Sequence, residues 1–96
     1  MTIETIVKTQ QQFLNAHTHG LSLSQAITIL LLKDESMTTS AISRKIGLTS
    51  AAMTGILDKL ESKRLLFRQR NKFDRRVVTI ELTDSGREVA LDIITP

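Results

Sequence analysis

The sequence predicts a mainly helical α+β fold that carries one β-hairpin near its C-terminal end. Three observations predict it. Apolar residues recur at helical spacing through four stretches between Thr2 and Leu60. After Leu65 the pattern changes: Leu66–Arg70 alternates apolar with basic residues, and Val77–Leu82 is β-branched and alternating. Ninety-six residues, 41% hydrophobic and 24% charged, make one small domain with room for a single modest core. With no Trp or Tyr and only three Phe, that core is expected to be built from Ile, Leu and Val.

The first helix is expected over Thr2–Ala16, where Ile3, Ile6, Val7, Gln10, Phe13 and Leu14 share a stripe. Thr2 is its N-cap, and His17-Thr18-His19-Gly20 ends it at a glycine that tolerates positive φ. Ser22 or Ser24 caps a second helix running to about Lys33. Its apolar face is Leu23, Ala26, Ile27, Leu30 and Leu31, widened by Ile29 and Leu32, as in the central helix of a bundle. Asp34-Glu35-Ser36 closes it, and Met37-Thr38 leaves room only for a strand stub. Thr39 or Ser40 then caps a third helix through Ile46, with Ala41, Ile42 and Ile46 inward.

Gly47-Leu48-Thr49-Ser50 forms a tight turn into a fourth helix capped at Thr49 or Ser50. That helix buries Met53, Ile56, Leu57 and Leu60 and exposes Ala51, Ala52, Thr54, Gly55, Asp58 and Lys59. Two short helices joined by a Gly-containing turn of about four residues are a helix-turn-helix. Asn71–Arg76 reads as a long hairpin loop between the two strands. A last helix opens at Thr83-Asp84-Ser85, where Ser85 and Glu88 come close to a capping box. It carries Val89, Ala90, Ile93 and Ile94 on one stripe. The fold class is thus a winged helix-turn-helix with a two-stranded β-wing. The only proline is the terminal Pro96.

Charge points to the partner. Between Lys59 and Arg76 stand eight basic residues (Lys59, Lys63, Arg64, Arg68, Arg70, Lys72, Arg75, Arg76) against Glu61 and Asp74, a formal charge of +6. The rest carries five basic against eight acidic residues, or −3. A slightly acidic body with one strongly basic edge fits a phosphate backbone first, because each neutralised phosphate releases condensed counterions. Readers of single strands stack bases on aromatic side chains, which are scarce here, so duplex DNA fits better.

Other classes find little support. Without Cys there is no disulfide, thiolate metal site or Cys nucleophile. Met1–Gln12 lacks the pattern of a signal peptide, and the apolar run Ile29–Leu32 is far too short to span a bilayer. A cytoplasmic protein without cofactor is expected. His17 and His19 lack an evident third ligand and read as helix-end polar residues. Met37 and Met53 read as core fillers. Asp58 and Glu61 with Lys63 and Arg64 read as solvated pairs rather than an acid/base site, and no constellation supports an enzyme.

Three motifs resemble the MarR-type winged-helix transcription regulators, from about Leu21 to Arg87. Leu23-Ser24-Gln25-Ala26 with Ile29-Leu30-Leu31-Leu32 is similar to the family's central helix. Thr49-Ser50-Ala51-Ala52-Met53-Thr54-Gly55-Ile56-Leu57-Asp58-Lys59-Leu60-Glu61 is similar to its recognition helix. Asp74-Arg75-Arg76, followed by Leu82-Thr83-Asp84-Ser85-Gly86, is similar to the wing and the junction after it. The resemblance implies that the Thr49–Lys63 helix lies in a major groove, with Ser50, Ala52, Thr54 and Lys59 toward bases and phosphates. Independent physics agrees: Ala touches a thymine methyl, and Ser or Thr hydrogen-bonds bases or phosphates.

The resemblance also brings Arg75 or Arg76 to the minor groove and gives Asp74 the role of bracing the wing. Arg70 and Lys72 join them as hairpin cations on the DNA side. Arg64 stands where family members often have Gly, so the recognition helix is expected to end differently here. Family members continue past the wing through several tens of residues of dimerising helix. Here a homodimer is expected through Thr2–Ala16 and Asp84–Ile94, whose apolar stripes exceed what so small a core must cover. The organisation expected is one winged-helix domain over 1–96, with a core at 21–82 flanked by helices at 1–20 and 83–96. A small-molecule effector is not assigned.

The leading expectation is a sequence-specific regulator of transcription, a repressor acting as a homodimer. Two rivals stand beside it. One is a plasmid- or phage-type architectural or partition protein that coats DNA, and the other is a winged-helix module that docks another protein.

Overall fold

The computed structural model describes residues 1–95, and Pro96 lies outside the described residues. The elements run α1 (Ile3–Thr18), α2 (Leu23–Leu31), β1 (Met37–Thr38), α3 (Thr39–Ile46), α4 (Ser50–Ser62), β2 (Leu66–Arg70), β3 (Val78–Leu82) and α5 (Asp84–Ile94). This is the mainly helical α+β winged fold that the sequence predicts.

Each helix begins the same way. A Ser or Thr in extended conformation accepts a hydrogen bond from the backbone N–H three residues on: Thr2 from Thr5, Ser22 from Gln25, Thr38 from Ala41, Thr49 from Ala52 and Thr83 from Gly86. A cap of this kind stabilises a helix by about 1 kcal/mol. One cap differs from expectation, and one expected near-box does not form. Thr38, not Thr39 or Ser40, starts α3, because the last residue of β1 is already extended and hands its hydroxyl directly to the helix. Thr83 caps α5 without any box between Ser85 and Glu88.

The two-stranded wing is the hairpin expected, and the Met37-Thr38 stub extends it to a three-stranded sheet of order β1-β3-β2. The Met37-Thr38 stub pairs with the otherwise free edge of β3, in the register Met37 opposite Ile80 and Thr38 opposite Thr79. β2 and β3 pair antiparallel from Leu66–Leu82 at the base to Arg70–Val78 at the loop end. Leu66, Arg68 and Arg70 therefore share a face with Leu82, Ile80 and Val78, inward at the base and outward toward the tip. β3 starts one residue late because the Val77 N–H turns back to the Asp74 carbonyl at 3.0 Å.

Ile29, Ile42, Met53, Leu57, Leu60, Leu66, Ile80 and Ile93 are fully or almost fully buried, and Met37 is buried too. No Phe joins them; Phe13, Phe67 and Phe73 are all exposed. The aliphatic core is as expected, but the face of α2 is not. Leu23 is 53% exposed and Ile27 also lies outward, while Gln25, Ala26, Thr28 and Ile29 are buried. The helix can turn this way because its two buried polar residues are satisfied locally. Gln25 completes a capping box with Ser22, and the Thr28 hydroxyl donates to the Ser24 carbonyl at 2.8 Å. The helix also stops at Leu31, short of Lys33.

α4 ends in a Schellman motif: Leu65 N–H donates to the Leu60 carbonyl and Arg64 N–H to that of Glu61. Arg64 takes the left-handed conformation usual for glycine, with φ 61°. The expectation of a different ending is corrected. Closing the motif puts Leu65 in the core, and that outweighs the left-handed backbone of one residue.

α5 runs back across the body. Ala90 and Ile93 are buried, so the stripe expected to be spare for dimerisation is largely used inside the monomer. Exposed apolar surface on α5 belongs to Leu91 instead. α1 touches the rest mainly through its second half. Ala16 is buried, the Asn15 amide donates to the carbonyls of Ile93 and Thr95 at 3.1 and 2.9 Å, and the His19 Nε2 meets Asp92 Oδ2 at 2.8 Å. Ile3, Ile6, Val7, Phe13 and Leu14 are left exposed.

Candidate nucleic-acid interface

The turn between α3 and α4 is fixed by Gly47 at φ 81°, with the Ser43 carbonyl accepting from both Gly47 and Leu48 N–H. α4 then leaves Thr49 with Met53, Leu57 and Leu60 in the core, as their spacing predicts. That burial fixes the opposite face. Ser50, Ala51, Ala52, Thr54, Gly55, Asp58 and Lys59 are all exposed. The first two turns present no side chain longer than Thr on this face, so another backbone can approach closely. The Thr54 hydroxyl donates to the Ser50 carbonyl at 2.9 Å, which commits its proton within the helix and leaves its oxygen an acceptor. Lys59, Ala52 and Gly55 border an open depression of about 520 Å³ with Ser22 and Ser24 at the start of α2.

The hairpin is clasped to α4 by Arg68. Its guanidinium donates to Asp58 Oδ1 at 2.9 Å and to Glu61 Oε1. Asp58 and Glu61 are one helical turn apart, so one Arg from β2 reaches both. The expected pairing of these acids with Lys63 and Arg64 is therefore replaced by a contact between elements. Lys63 turns to the Gly20 carbonyl at 3.1 Å instead. The clasp also offsets part of the negative charge on the exposed face of α4, where it would repel a phosphate.

The wing loop is a braced frame. Asn71 Oδ1 accepts from the N–H groups of Phe73 and Asp74 at 2.8 and 3.0 Å, and Asn71 N–H donates to the Val77 carbonyl at 2.9 Å. Asp74 Oδ1 accepts from Arg76 N–H and Nε, and its Oδ2 from Arg76 Nη2. The Arg70 guanidinium reaches across to the Arg75 carbonyl. The Arg76 guanidinium, and after it the Arg76 N–H, hold the Asp74 carboxyl below the usual carboxylate range, while the same pairing raises Arg76.

Each residue that the sequence singles out is thus placed. Ser50, Ala52, Thr54 and Lys59 lie on one exposed face of α4; Arg70, Lys72, Arg75 and Arg76 lie on the wing, with Asp74 beneath Arg76. Arg76 is paired, whereas Lys59, Arg70, Lys72 and Arg75 form no ion pair among the described residues. Arg70, Lys72 and Arg75 line one shallow depression of about 290 Å³ with Asn71. Two features escaped the sequence reading. Arg68 is the clasp rather than one more surface cation, a contact legible only once β2 is laid beside α4. Phe73 stands at the tip of the loop, 97% exposed. A lone Phe inside a polar, basic loop was the signal for it.

A winged helix-turn-helix with a small-residue recognition face and a cationic wing is a nucleic-acid-binding architecture. The chain belongs to the MarR family, whose sequence model matches residues 19–77. It is 39% identical over 71 residues to the uncharacterized HTH-type transcriptional regulator YdgJ of Bacillus subtilis (strain 168), an alignment covering 72% of this chain and 43% of that protein. It is 37% identical over 78 residues to the HTH-type transcriptional regulator MhqR of the same organism, covering 80% and 54%. The chain thus spans about half the length of these curated relatives. Among solved structures, a mutant of S. aureus MepR bound to an oligodeoxyribonucleotide superposes with a TM-score of 0.83. That match covers 95% of this chain and 68% of the other at 21% identity, a likeness of fold. Among the described residues no helix is long and apolar enough to cross a membrane.

Proposed function

We infer that this chain binds double-stranded DNA sequence-specifically and represses transcription as a homodimer. One observation carries the reading. The exposed small-residue face of α4 (Ser50, Ala52, Thr54, with Lys59 behind) stands on the same fold as a rigid wing whose cations Arg70, Lys72 and Arg75 are free of carboxylates. α4 reads the major groove, with Ala52 against a methyl, the Ser50 hydroxyl toward a base or phosphate and the Thr54 oxygen toward a base donor. The wing carries Arg75 toward the minor groove and Asp74 braces it. Because the contact side chains are short, much of the selectivity rests on DNA shape. The regulator relatives support the role, and the oligodeoxyribonucleotide on the MepR mutant supports the ligand class.

The homodimer rests on α1. Ile3, Ile6 and Val7 are more than half exposed on one helix, and beside them Ile93 and Ile94 line an apolar groove of about 480 Å³. An apolar stripe of this extent on a 96-residue chain calls for a partner surface, and a second copy offers a complementary one. The working organisation is a winged-helix core at 21–82 flanked by segments 1–20 and 83–96, with α1 as the main dimerising helix and the edge of α5 beside it.

The test is duplex binding across a salt series, first with random genomic fragments and then with selected sites. A steep negative slope of log affinity on log salt is expected, with a selected site favoured by about 10³ or more and half-sites about 10 base pairs apart. A steep slope without selectivity would replace repression by DNA coating. No duplex binding at low salt would leave a protein-docking module.

A further inference from the structure

We propose that Phe73 is a wedge that enters a base step of the minor groove and bends the DNA. The inference rests on the DNA-binding reading and deepens it. Phe73 is 97% exposed, a position with a standing hydration cost for a phenyl ring. A slack loop would relieve that cost by folding the ring onto its own sheet. This loop is not slack. Asn71 Oδ1 holds the Phe73 N–H itself at 2.8 Å and the Asp74 N–H at 3.0 Å, Asp74 grips Arg76 twice, and Arg70 is tied to the Arg75 carbonyl. The frame fixes the backbone that carries the ring at the end of the hairpin, where the ring is exposed.

The ring's surroundings name its ligand. It is flanked in the chain by Lys72 and by Asp74, whose carboxylate is occupied by Arg76, and Arg70, Lys72 and Arg75 line one depression of the same loop with Asn71. An apolar tip on a loop that also carries Arg70, Lys72 and Arg75, none of them in an ion pair among the described residues, is complementary to a site that is apolar in the middle and anionic around the edge. An opened base step between two phosphate backbones is such a site, and apolar side chains inserted there kink a duplex by about 20–90°. The cations hold the backbones while the ring takes the place of the lost stacking. TA steps, which unstack most readily, are the preferred target.

The experiment measures bending by energy transfer between dyes on the ends of a duplex of about 30 base pairs carrying TA steps under the two wings, with affinity read across salt. The wild-type chain is expected to bend it by about 20° or more, with Phe73→Ala losing most of the bend. Affinity should fall about tenfold in the Ala variant with the salt slope unchanged, since no phosphate contact is removed. Phe73→Leu, still an apolar wedge, should keep most of the bend. The side chain is almost fully exposed, so neither variant threatens the fold. Equal bending and equal affinity in wild type and Phe73→Ala would overturn the wedge and assign the ring to a protein partner. Absence of duplex binding by the wild type would overturn the DNA-binding reading and the wedge with it.

Discussion

Asp74 holds Arg76 with both of its carboxylate oxygens. Oδ1 lies 3.1 Å from the Arg76 backbone N and 3.0 Å from Nε, and Oδ2 lies 3.1 Å from Nη2. An acid two residues before a base is electrostatically awkward on a loop proposed to face DNA. Its presence is accounted for by geometry: the fork fixes the turn that points Phe73 and Arg75 outward.

Asp74→Ala therefore separates two mechanisms of opposite sign. By charge alone, removing a negative group and freeing Arg76 strengthens DNA binding. By bracing, a loosened wing must be ordered again on binding, which weakens it. Bracing is expected to win, with affinity down about tenfold at moderate salt and the salt slope no shallower than wild type. An affinity equal to or above wild type would show that the fork is dispensable.

The same pair makes the wing sensitive to acid. The Asp74 carboxyl is held below its ordinary value by Arg76, so its contribution to order is complete above the unfolded pKa of about 3.9 and disappears as pH falls through the lower folded value. Amide NMR of Phe73, Asp74 and Arg76 should show constant shifts from neutral pH to about 4 and a common transition below it. A midpoint at or above the ordinary carboxylate value would mean that the fork does not form in solution.

Much of this was legible in the sequence because local chemistry decides it. Thr2, Thr49 and Thr83 cap their helices on their own hydroxyls, and Met53, Leu57 and Leu60 fix by spacing alone which face of α4 is free. What escaped depends on contacts between elements. Leu23 and Ile27 look like core residues, but Gln25 and Thr28 are satisfied within their own helix and can turn inward in their place. The Met37-Thr38 stub was visible, but not its partner, because the edge of β3 that it pairs with is set by the fold. Arg68 looks like any cation until β2 carries it to Asp58 and Glu61.

Arg64 holds a conformation better suited to glycine. At φ 61° its Cβ is strained, while its N–H completes the cap of α4. Arg64→Gly is expected to stabilise the chain by up to about 1 kcal/mol, the greater freedom of Gly in the unfolded chain offsetting part of the relief. For a domain of this size that raises Tm by roughly 4–8 °C at most. Arg64→Asn should fall between the two. A lower Tm for the Gly variant would mean that the Arg side chain makes a compensating contact.

Gly86 presents the opposite case, since its φ is ordinary and space is the constraint. A Cβ built there meets the backbone carbonyl of Leu65 and lies 3.3 Å from Leu82 Cβ. The Leu65 carbonyl cannot retreat freely, because it accepts the Thr83 N–H at 3.0 Å and follows the Arg64 carbonyl that accepts the Thr83 hydroxyl at 2.7 Å. Helix propensity favours Ala over Gly inside α5 by about 1 kcal/mol. Overpacking against fixed backbone costs about 1–3 kcal/mol or more. Steric cost is expected to prevail, so Gly86→Ala should lower the urea midpoint with little change in m. The strain falls where α4, β2 and α5 meet, and the wing is carried on β2. Gly86→Ala should therefore also weaken DNA binding, although residue 86 lies outside the proposed contact face. A variant as stable as wild type would show that α5 can shift away from Leu65 at no cost, and that the junction after the wing is softer than its hydrogen bonds imply.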